Sequence, residues 1–106
     1  MMNIKVQYYA LIRESVKKEE ERVELAEGSC LRDLLERLIG EYGADFKDLF
    51  FEKNGDVAHR ILMFIDGAEV DLAKDGNLRL KNDSKVQFFQ PVGGGSIRRL
   101  YEVSSA

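Results

Sequence analysis

Residues 86–95, VQFFQPVGGG, join a β-strand pattern to a run of three glycines. Val86 and Phe88 recur at the period of a strand, which predicts the last strand of a sheet. Pro91 closes this strand, because proline has no N–H to give to a β-ladder. Gly93–Gly95 follow without side chains that could pack. The stretch therefore predicts a sheet whose final strand runs directly into bare backbone.

The glycine run has two physical explanations. Glycines commonly form turns and linkers, and they also let a backbone enter a site too narrow for a Cβ. The first explanation is the more common, but the run follows a strand near the end of a small acidic chain, and this position adds weight to the second. We therefore treat it as a candidate functional segment.

The direction of the Phe89 side chain follows from the predicted strand. If Val86 and Phe88 face the core, Phe89 lies with Gln87 on the opposite face. An exposed aromatic side chain beside a functional segment is typical of an anchor for a binding partner. Packing beneath a loop would also explain it, and both explanations stay open at this point.

The N-terminal part of the chain predicts a β-hairpin. Asn3–Leu11 alternates as a half-buried strand, and Val23–Leu25 repeats the alternation in a second strand. The charged residues Arg13–Arg22 between them predict an exposed loop. The hairpin would place these two strands side by side.

Four leucines predict the main helix. Their i, i+3, i+4 and i+7 spacing places them on one face. Ser29 is the candidate N-cap, because its hydroxyl can accept a hydrogen bond from a free backbone N–H. Gly40 or Gly43 would end the helix. The leucines of this face are Leu31, Leu34, Leu35 and Leu38.

Shorter elements are predicted between the helix and the last strand. Residues 44–60 contain a helical turn or an irregular apolar segment, and Arg60–Ile65 predicts a strand buried on both faces. Asp66 and Gly67 predict a tight hairpin. The order of elements is that of an α+β domain in which one helix covers one sheet face. Three further leucines are expected to pack a small turn against the core: Leu72, Leu78 and Leu80.

Composition limits the possible functions. A chain of 106 residues is expected to form one domain. Its net charge of −3 lacks the basic excess of a nucleic-acid binder. No apolar run approaches the roughly 18 residues of a membrane helix, and the N-terminus has no signal-peptide pattern. The single cysteine excludes an internal disulfide. We expect a cytoplasmic protein that binds neither nucleic acid nor membrane.

The sequence offers no autonomous active site. His59 has no ligand-spaced cysteine or histidine beside it, so no metal site is predicted. Cys30 is at a predicted helix N-terminus, where reactive thiols occur, but the position suits any small residue and we interpret it as inert. The C-terminal segment is therefore expected to be a substrate of other enzymes.

Several motifs resemble those of the MoaD/ThiS-type ubiquitin-like sulfur carriers, above all the small subunit of molybdopterin synthase. A first strand ends in VQYYA at 6–10, the leucine helix is LRDLLERL at 31–38, and a central strand turns at ILMFIDG, 61–67. A last strand, a proline bend and a diglycine complete the pattern. The resemblance covers Met2–Gly95.

The resemblance implies a β-grasp fold. This is a mixed sheet of four to five strands covered by one main helix, with the first and last strands adjacent and parallel. The implied organisation is a ubiquitin-like domain over residues 1–92, a flexible glycine tail over 93–95 and a C-terminal extension over 96–106.

The resemblance also implies a role in molybdenum or tungsten cofactor biosynthesis. In the family, an adenylating (MoeB-like) enzyme uses ATP to activate the terminal glycine, which then carries sulfur as a thiocarboxylate. Gly95, preceded by Gly94, matches that glycine, and the chain itself would bind no cofactor. The chain would donate this sulfur within a complex with the large subunit of molybdopterin synthase. The partner-binding residues implied are Phe89, Pro91, Val92 and Gly93.

Residues 96–106, SIRRLYEVSSA, depart from the family pattern. The amide bond after Gly95 leaves no carboxylate to adenylate. Three explanations stay open: a processing protease removes the segment, the segment is an artificial or reading-frame addition, or the chain has kept the fold as a non-catalytic interaction domain. The alternatives to the molybdopterin pathway are a ubiquitin-like modifier and a sulfur carrier for thiamine, cysteine or tRNA thiolation.

Overall fold

The chain forms a five-stranded mixed sheet with its main helix packed on one face. The computed structural model describes residues 1–90, so the predicted boundary at residue 92 and the segments 93–95 and 96–106 lie outside the described residues. The elements are β1 Met2–Tyr9, α1 Ala10–Val16, β2 Glu20–Leu25, α2 Leu31–Tyr42, α3 Ala44–Phe50, β3 Leu62–Ile65, β4 Ala68–Val70, α4 Leu72–Asp75 and β5 Lys85–Gln90.

The sheet has the strand order β2-β1-β5-β3-β4. The central pair is parallel, with Val6 opposite Val86 and Tyr8 opposite Phe88. Every other pair in the sheet is antiparallel. A parallel pair of first and last strands, flanked by hairpins and crossed by one main helix, is the β-grasp arrangement. The predicted fold is therefore confirmed, and the last strand ends at Gln90, directly before Pro91, as the sequence predicts.

Apolar alternation builds the core between the sheet and α2. Alternate residues of β1 are buried from Met2 to Tyr8, because successive side chains of a strand point to opposite faces. The four leucines of α2 are all fully buried against this face, at 0% exposure. The helix face is therefore predicted correctly.

The start and end of α2 refine the prediction. Cys30, and not Ser29, is the N-cap. The Asp33 carboxylate, in the first turn, accepts a hydrogen bond from the Cys30 backbone N–H at 2.9 Å and so fixes the helix start one residue later. Gly40 lies inside the helix, whereas Gly43, with φ +89°, ends it.

The predicted exposed loop over Arg13–Arg22 is wrong. Strand β1 stops at Tyr9, and the next residues form α1, which buries Ile12 and Val16. These two side chains are four residues apart and so lie on one helical face. Strand β2 then begins at Glu20, within the stretch predicted to be loop.

The segment before β5 contains one further correction. Strand β3 begins at Leu62 and is not buried on both faces, because of its four residues only Met63 is fully buried. One layer of helices covers one face of the sheet, and the opposite face of β3 stays accessible.

Other short elements agree with the sequence. Asp66 and Gly67 both have positive φ, at 50° and 87°, as a tight type I′ hairpin requires. Leu72 and Leu80 pack into the core, but Leu78 is 44% exposed and does not. Helix α3 supplies the helical turn expected within residues 44–60. Among residues 1–90, no helix has the length and apolar character needed to cross a bilayer.

Candidate functional site

The last strand ends in the middle of the sheet, between β1 and β3. At this end Phe89 is paired with Tyr9 of β1 on one side and with Leu62 of β3 on the other. Their side chains therefore lie next to one another on the sheet face opposite α2. The chain continues from Gln90, so anything attached beyond this residue starts beside these three side chains.

A mainly apolar depression covers this end of the outer sheet face. Its open cavity measures about 450 Å³ and is completed by Gln87 and Gly67. Phe89 is 37% exposed, and its ring centroid lies 6.3 Å from that of Tyr9. We call its four large side chains the outer-face patch: Tyr9, Leu62, Phe64 and Phe89.

Phe89 faces outward because Phe88 is held inward. Phe88 is fully buried, with its ring centroid 6.1 Å from that of Tyr8 and 5.2 Å from that of Phe50. Since successive residues of a strand alternate in direction, the next aromatic side chain must point to the other face. The core packing of one ring thus sets the exposure of its neighbour.

A small hydrogen-bond network supports the patch. The Gln87 Nε2 donates to the Tyr9 hydroxyl and to the Gln7 Oε1, both at 3.0 Å. The Tyr9 hydroxyl in turn donates to the Gln7 Oε1 at 2.9 Å. These bonds tie the phenol to the two central strands, so the ring beside Phe89 is fixed before any partner binds.

The remainder of the outer face is polar. Lys5 pairs with Glu20 at 3.7 Å, and Arg22 pairs with Asp83 at 3.8 Å. Surface pairs of this kind contribute little to stability. The apolar part of the outer face is therefore confined to the end of β5.

A second polar cluster lies at the other face and joins β2 to α2. The Glu21 Oε2 accepts hydrogen bonds from the hydroxyls of Tyr8 at 2.6 Å and Tyr42 at 2.5 Å, and Lys18 donates to the Oε1 at 3.2 Å. Burial alone would raise the pKa of Glu21, but the hydrogen bonds from Tyr42, Tyr8 and Lys18 lower it. Burial and the hydrogen bond to Glu21 raise the pKa of both tyrosines. At neutral pH the cluster is a fixed carboxylate with two neutral phenols, which is a structural arrangement.

The predicted site residues fall into two groups. Phe89 lies exposed on the outer face, on the side predicted, and its contact with a partner stays a prediction. Pro91, Val92 and Gly93–Gly95 lie outside the described residues. His59 is exposed and Cys30 is partly buried. Within residues 1–90 no three His, Cys, Asp or Glu side chains come together to hold a metal ion.

Sequence reasoning missed the other three members of the outer-face patch. The sequence places Tyr9 only in a strand motif, and it predicts that Leu62 and Phe64 belong to a strand buried on both faces. The signal available was their alternation with the buried Met63. Only the pairing of β3 with β5 brings them beside Phe89.

Comparison with known proteins places the chain in a family. The model described as "ThiS family" matches residues 6–95. No sequence among the curated proteins matches the chain significantly. Since the match covers most of the chain and takes in the second half of β1 and all of the other strands, it concerns the domain and not one motif.

Solved structures agree with this match. A Pyrococcus furiosus protein provisionally described as "molybdopterin converting factor, subunit 1" is 27% identical, with a TM-score of 0.69 over 87% of this chain and 100% of that chain. The small archaeal modifier protein 1 of Methanosarcina acetivorans is 25% identical, with a TM-score of 0.73 over 90% and 98%.

A more distant structure is similar in fold alone. A chain of the Amycolatopsis orientalis BexX/CysO complex is 17% identical, with a TM-score of 0.60 over 87% of this chain and 99% of that chain.

Proposed function

The chain belongs to the ThiS family of ubiquitin-like sulfur carriers, and on that premise we propose that it carries sulfur for molybdopterin synthesis as a thiocarboxylate on Gly95. The observation that carries the proposal is the extent of the family match, which ends at Gly95 itself. This end of the match supports the interpretation of the glycine run as the end of the family domain and not as an internal linker.

The chemistry needs a free carboxylate on Gly95. Hydrolysis of the peptide bond before Ser96 would supply it and release residues 96–106. An adenylating enzyme of the MoeB type would then join this carboxylate to the AMP part of ATP and release pyrophosphate. A sulfide-level donor (HS⁻) would attack the acyl carbon, break its bond to the phosphate oxygen of AMP, release AMP and leave the thiocarboxylate. The ATP is bound by that enzyme, so this chain needs no cofactor of its own.

The outer-face patch supplies the docking surface in this proposal. It is apolar, partly exposed and pre-arranged by the Gln7, Tyr9 and Gln87 hydrogen bonds. Aromatic anchors with fixed side chains are typical of binding hot spots. A partner seated on Phe89 lies next to the start of residues 91–95, so docking would bring the glycine end to the partner's active site. We propose that the adenylating enzyme and the large synthase subunit bind here.

Two observations bear on the choice of pathway. The molybdopterin pathway is supported by the description of the Pyrococcus furiosus protein. A role as a ubiquitin-like modifier is the second candidate, supported by the similarity to the small archaeal modifier protein 1. In that role the activated Gly95 would be joined to lysine amines of other proteins instead of receiving sulfur for a cofactor.

The test compares two shortened chains, one ending at Gly95 and one ending at Gly93. Each is incubated with ATP, a MoeB-type enzyme and a sulfur donor, and its intact mass is measured with and without alkylation. We expect a thiocarboxylate only on the chain that ends at Gly95, and unchanged unfolding free energy in both. Absence of adenylation of the chain ending at Gly95 would contradict the carrier function.

The pathway requires a second measurement. The thiocarboxylated chain is mixed with a molybdopterin synthase large subunit, and molybdopterin formation is followed. Stable binding and product formation are the expected result. Recovery of Gly95 in isopeptide bonds to lysines, without product, would favour the modifier.

A further inference from the structure

The outer-face patch has no cover among residues 1–90. Its four large apolar side chains surround an open depression of about 450 Å³, and Phe89 is among the few large apolar side chains exposed in the described part of the chain. Exposed apolar surface of this kind usually belongs to an interface.

The chain itself supplies a segment within reach. Ile97 is seven residues beyond Gln90, which an extended backbone spans with roughly 25 Å. The patch extends only one strand to either side of β5, or about 5 Å each way. Gly93–Gly95 remove the steric barrier to reversing the chain direction. Residues 97–103 can therefore return to the patch without disturbing the sheet.

The sequence of that segment suits an apolar surface. Ile97, Leu100 and Tyr101 are spaced i, i+3 and i+4, a sequence pattern that would put them on one face if the segment formed a helical turn on the patch. Arg98 and Glu102 fall outside that face. A segment with three large apolar side chains on one side matches a depression lined by Tyr, Leu and Phe side chains.

Charge favours the same partnership. Glu69 is paired with Phe64 across β3 and β4, is exposed beside the patch, and makes no ion pair with residues 1–90. Arg98, which flanks the apolar face of the segment, would approach this carboxylate when Ile97, Leu100 and Tyr101 are seated. Such a pair adds orientation more than affinity.

We propose that residues 97–103 occupy the outer-face patch of the uncut chain and block its docking surface. The segment is tethered, so its effective concentration at the patch is on the order of millimolar and weak contacts suffice. Cleavage after Gly95 ends the tether, and the released peptide is diluted away. One hydrolysis therefore frees both the carboxylate of Gly95 and the surface that presents it. The regulatory role of this contact rests on the proposed function, whereas the contact between residues 97–103 and the outer-face patch does not.

The test uses nuclear magnetic resonance of three chains: the full chain, the chain ending at Gly95, and a full chain carrying Ile97→Ser, Leu100→Ser and Tyr101→Ser. The readout is the set of aromatic and amide shifts of Tyr9, Phe64 and Phe89. We expect the triple variant to resemble the shortened chain and to differ from the full chain. Glu102→Ser in the full chain is the matched control and should leave the shifts as in the full chain.

A second measurement uses the segment as a separate molecule. The synthetic peptide SIRRLYEVSSA, added at millimolar concentration to the chain ending at Gly95, should move the same resonances toward their positions in the full chain. Identical patch shifts in the full, shortened and triple-variant chains would overturn the proposal. So would patch shifts that depend on protein concentration and accompany a doubled mass in sedimentation, because a second copy would then be the occupant. No activating enzyme is present, so failure here leaves the sulfur-carrier test unaffected.

Discussion

The two faces of the sheet differ most sharply at Phe88 and Phe89, which are neighbours in sequence. Phe88 is fully buried between β1 and α3, while Phe89 is 37% exposed on the outer face. The inner face is apolar apart from the Glu21 cluster, whereas the outer face is charged at one end and apolar at the other. The difference indicates that the inner face serves folding and that the apolar end of the outer face is available for binding.

The pair Phe88→Ala and Phe89→Ala is the strongest test of this comparison. Loss of a buried phenylalanine ring destabilises a domain by about 3–5 kcal/mol, so Phe88→Ala should lower the unfolding free energy by that amount. Phe89→Ala should cost about 1 kcal/mol or less, because surface substitutions have small effects. Urea denaturation of both variants measures the difference. Similar losses would mean that Phe89 is part of the core.

The Phe89→Ala variant also tests whether the outer face binds a partner. Phe89→Ala should weaken docking to a partner enzyme at least about tenfold, as truncation of an aromatic anchor does. The variant should keep its fold, which circular dichroism verifies. Unchanged affinity would remove Phe89 from the docking surface.

Substitutions in α2, the helix that covers the inner face, are expected to have the next largest effect on the unfolding free energy. Leu34→Ala or Leu35→Ala should each cost roughly 2–5 kcal/mol, because both side chains are fully buried against the sheet. Glu36→Ala, on the exposed side of the same helix, is the control and should cost less than about 0.5 kcal/mol. A cost near zero at both leucines would mean that the inner face is not the core.

The smallest effect concerns the carboxylate that joins β2 to α2. Glu21→Gln should lower the unfolding free energy by about 1–3 kcal/mol at pH 7, since hydrogen bonds to a charged group are weakened. The folded state lowers the pKa of Glu21, so its contribution is complete above the unfolded pKa of about 4.3 and is lost as the pH falls through the folded pKa. The gap between wild type and Glu21→Gln should therefore close below about pH 4.

Thermal unfolding across pH 3–7 checks this expectation. Glu24→Gln, an exposed carboxylate on the same strand, serves as the control and should show a small gap at every pH. A gap for Glu21→Gln that stays constant down to pH 3 would contradict the assigned role of the carboxylate.

Local patterns in the sequence predict most of the fold. The alternation in β1 and β5 and the leucine spacing in α2 follow from burial on one side of each element. Such burial is visible in the order of apolar and polar residues. Helix α1 was missed because its two buried side chains, Ile12 and Val16, lie among charged residues that suggest a loop. The prediction that β3 is buried on both faces is wrong, because its apolar outward-facing residues lie on the accessible face of the sheet and not in the core.

The candidate site was only partly predictable for a different reason. Phe89 could be assigned to the outer face from the strand period alone. Tyr9 and Leu62 join it only through the pairing of β5 with both β1 and β3, which connects residues far apart in the chain. No local pattern contains that information, and only the family resemblance implied the parallel pairing.

The central position of β5 also has a consequence for synthesis of the protein. The strand that completes the sheet is the last described element, and it must enter between two strands that are already made. Folding is then dominated by contacts between distant residues, which slows it relative to a helical domain of the same length. A ribosome-bound chain that stops before residue 85 has an open gap between β1 and β3. The segment that begins after Gln90 is thus synthesised only after the strand that closes this gap.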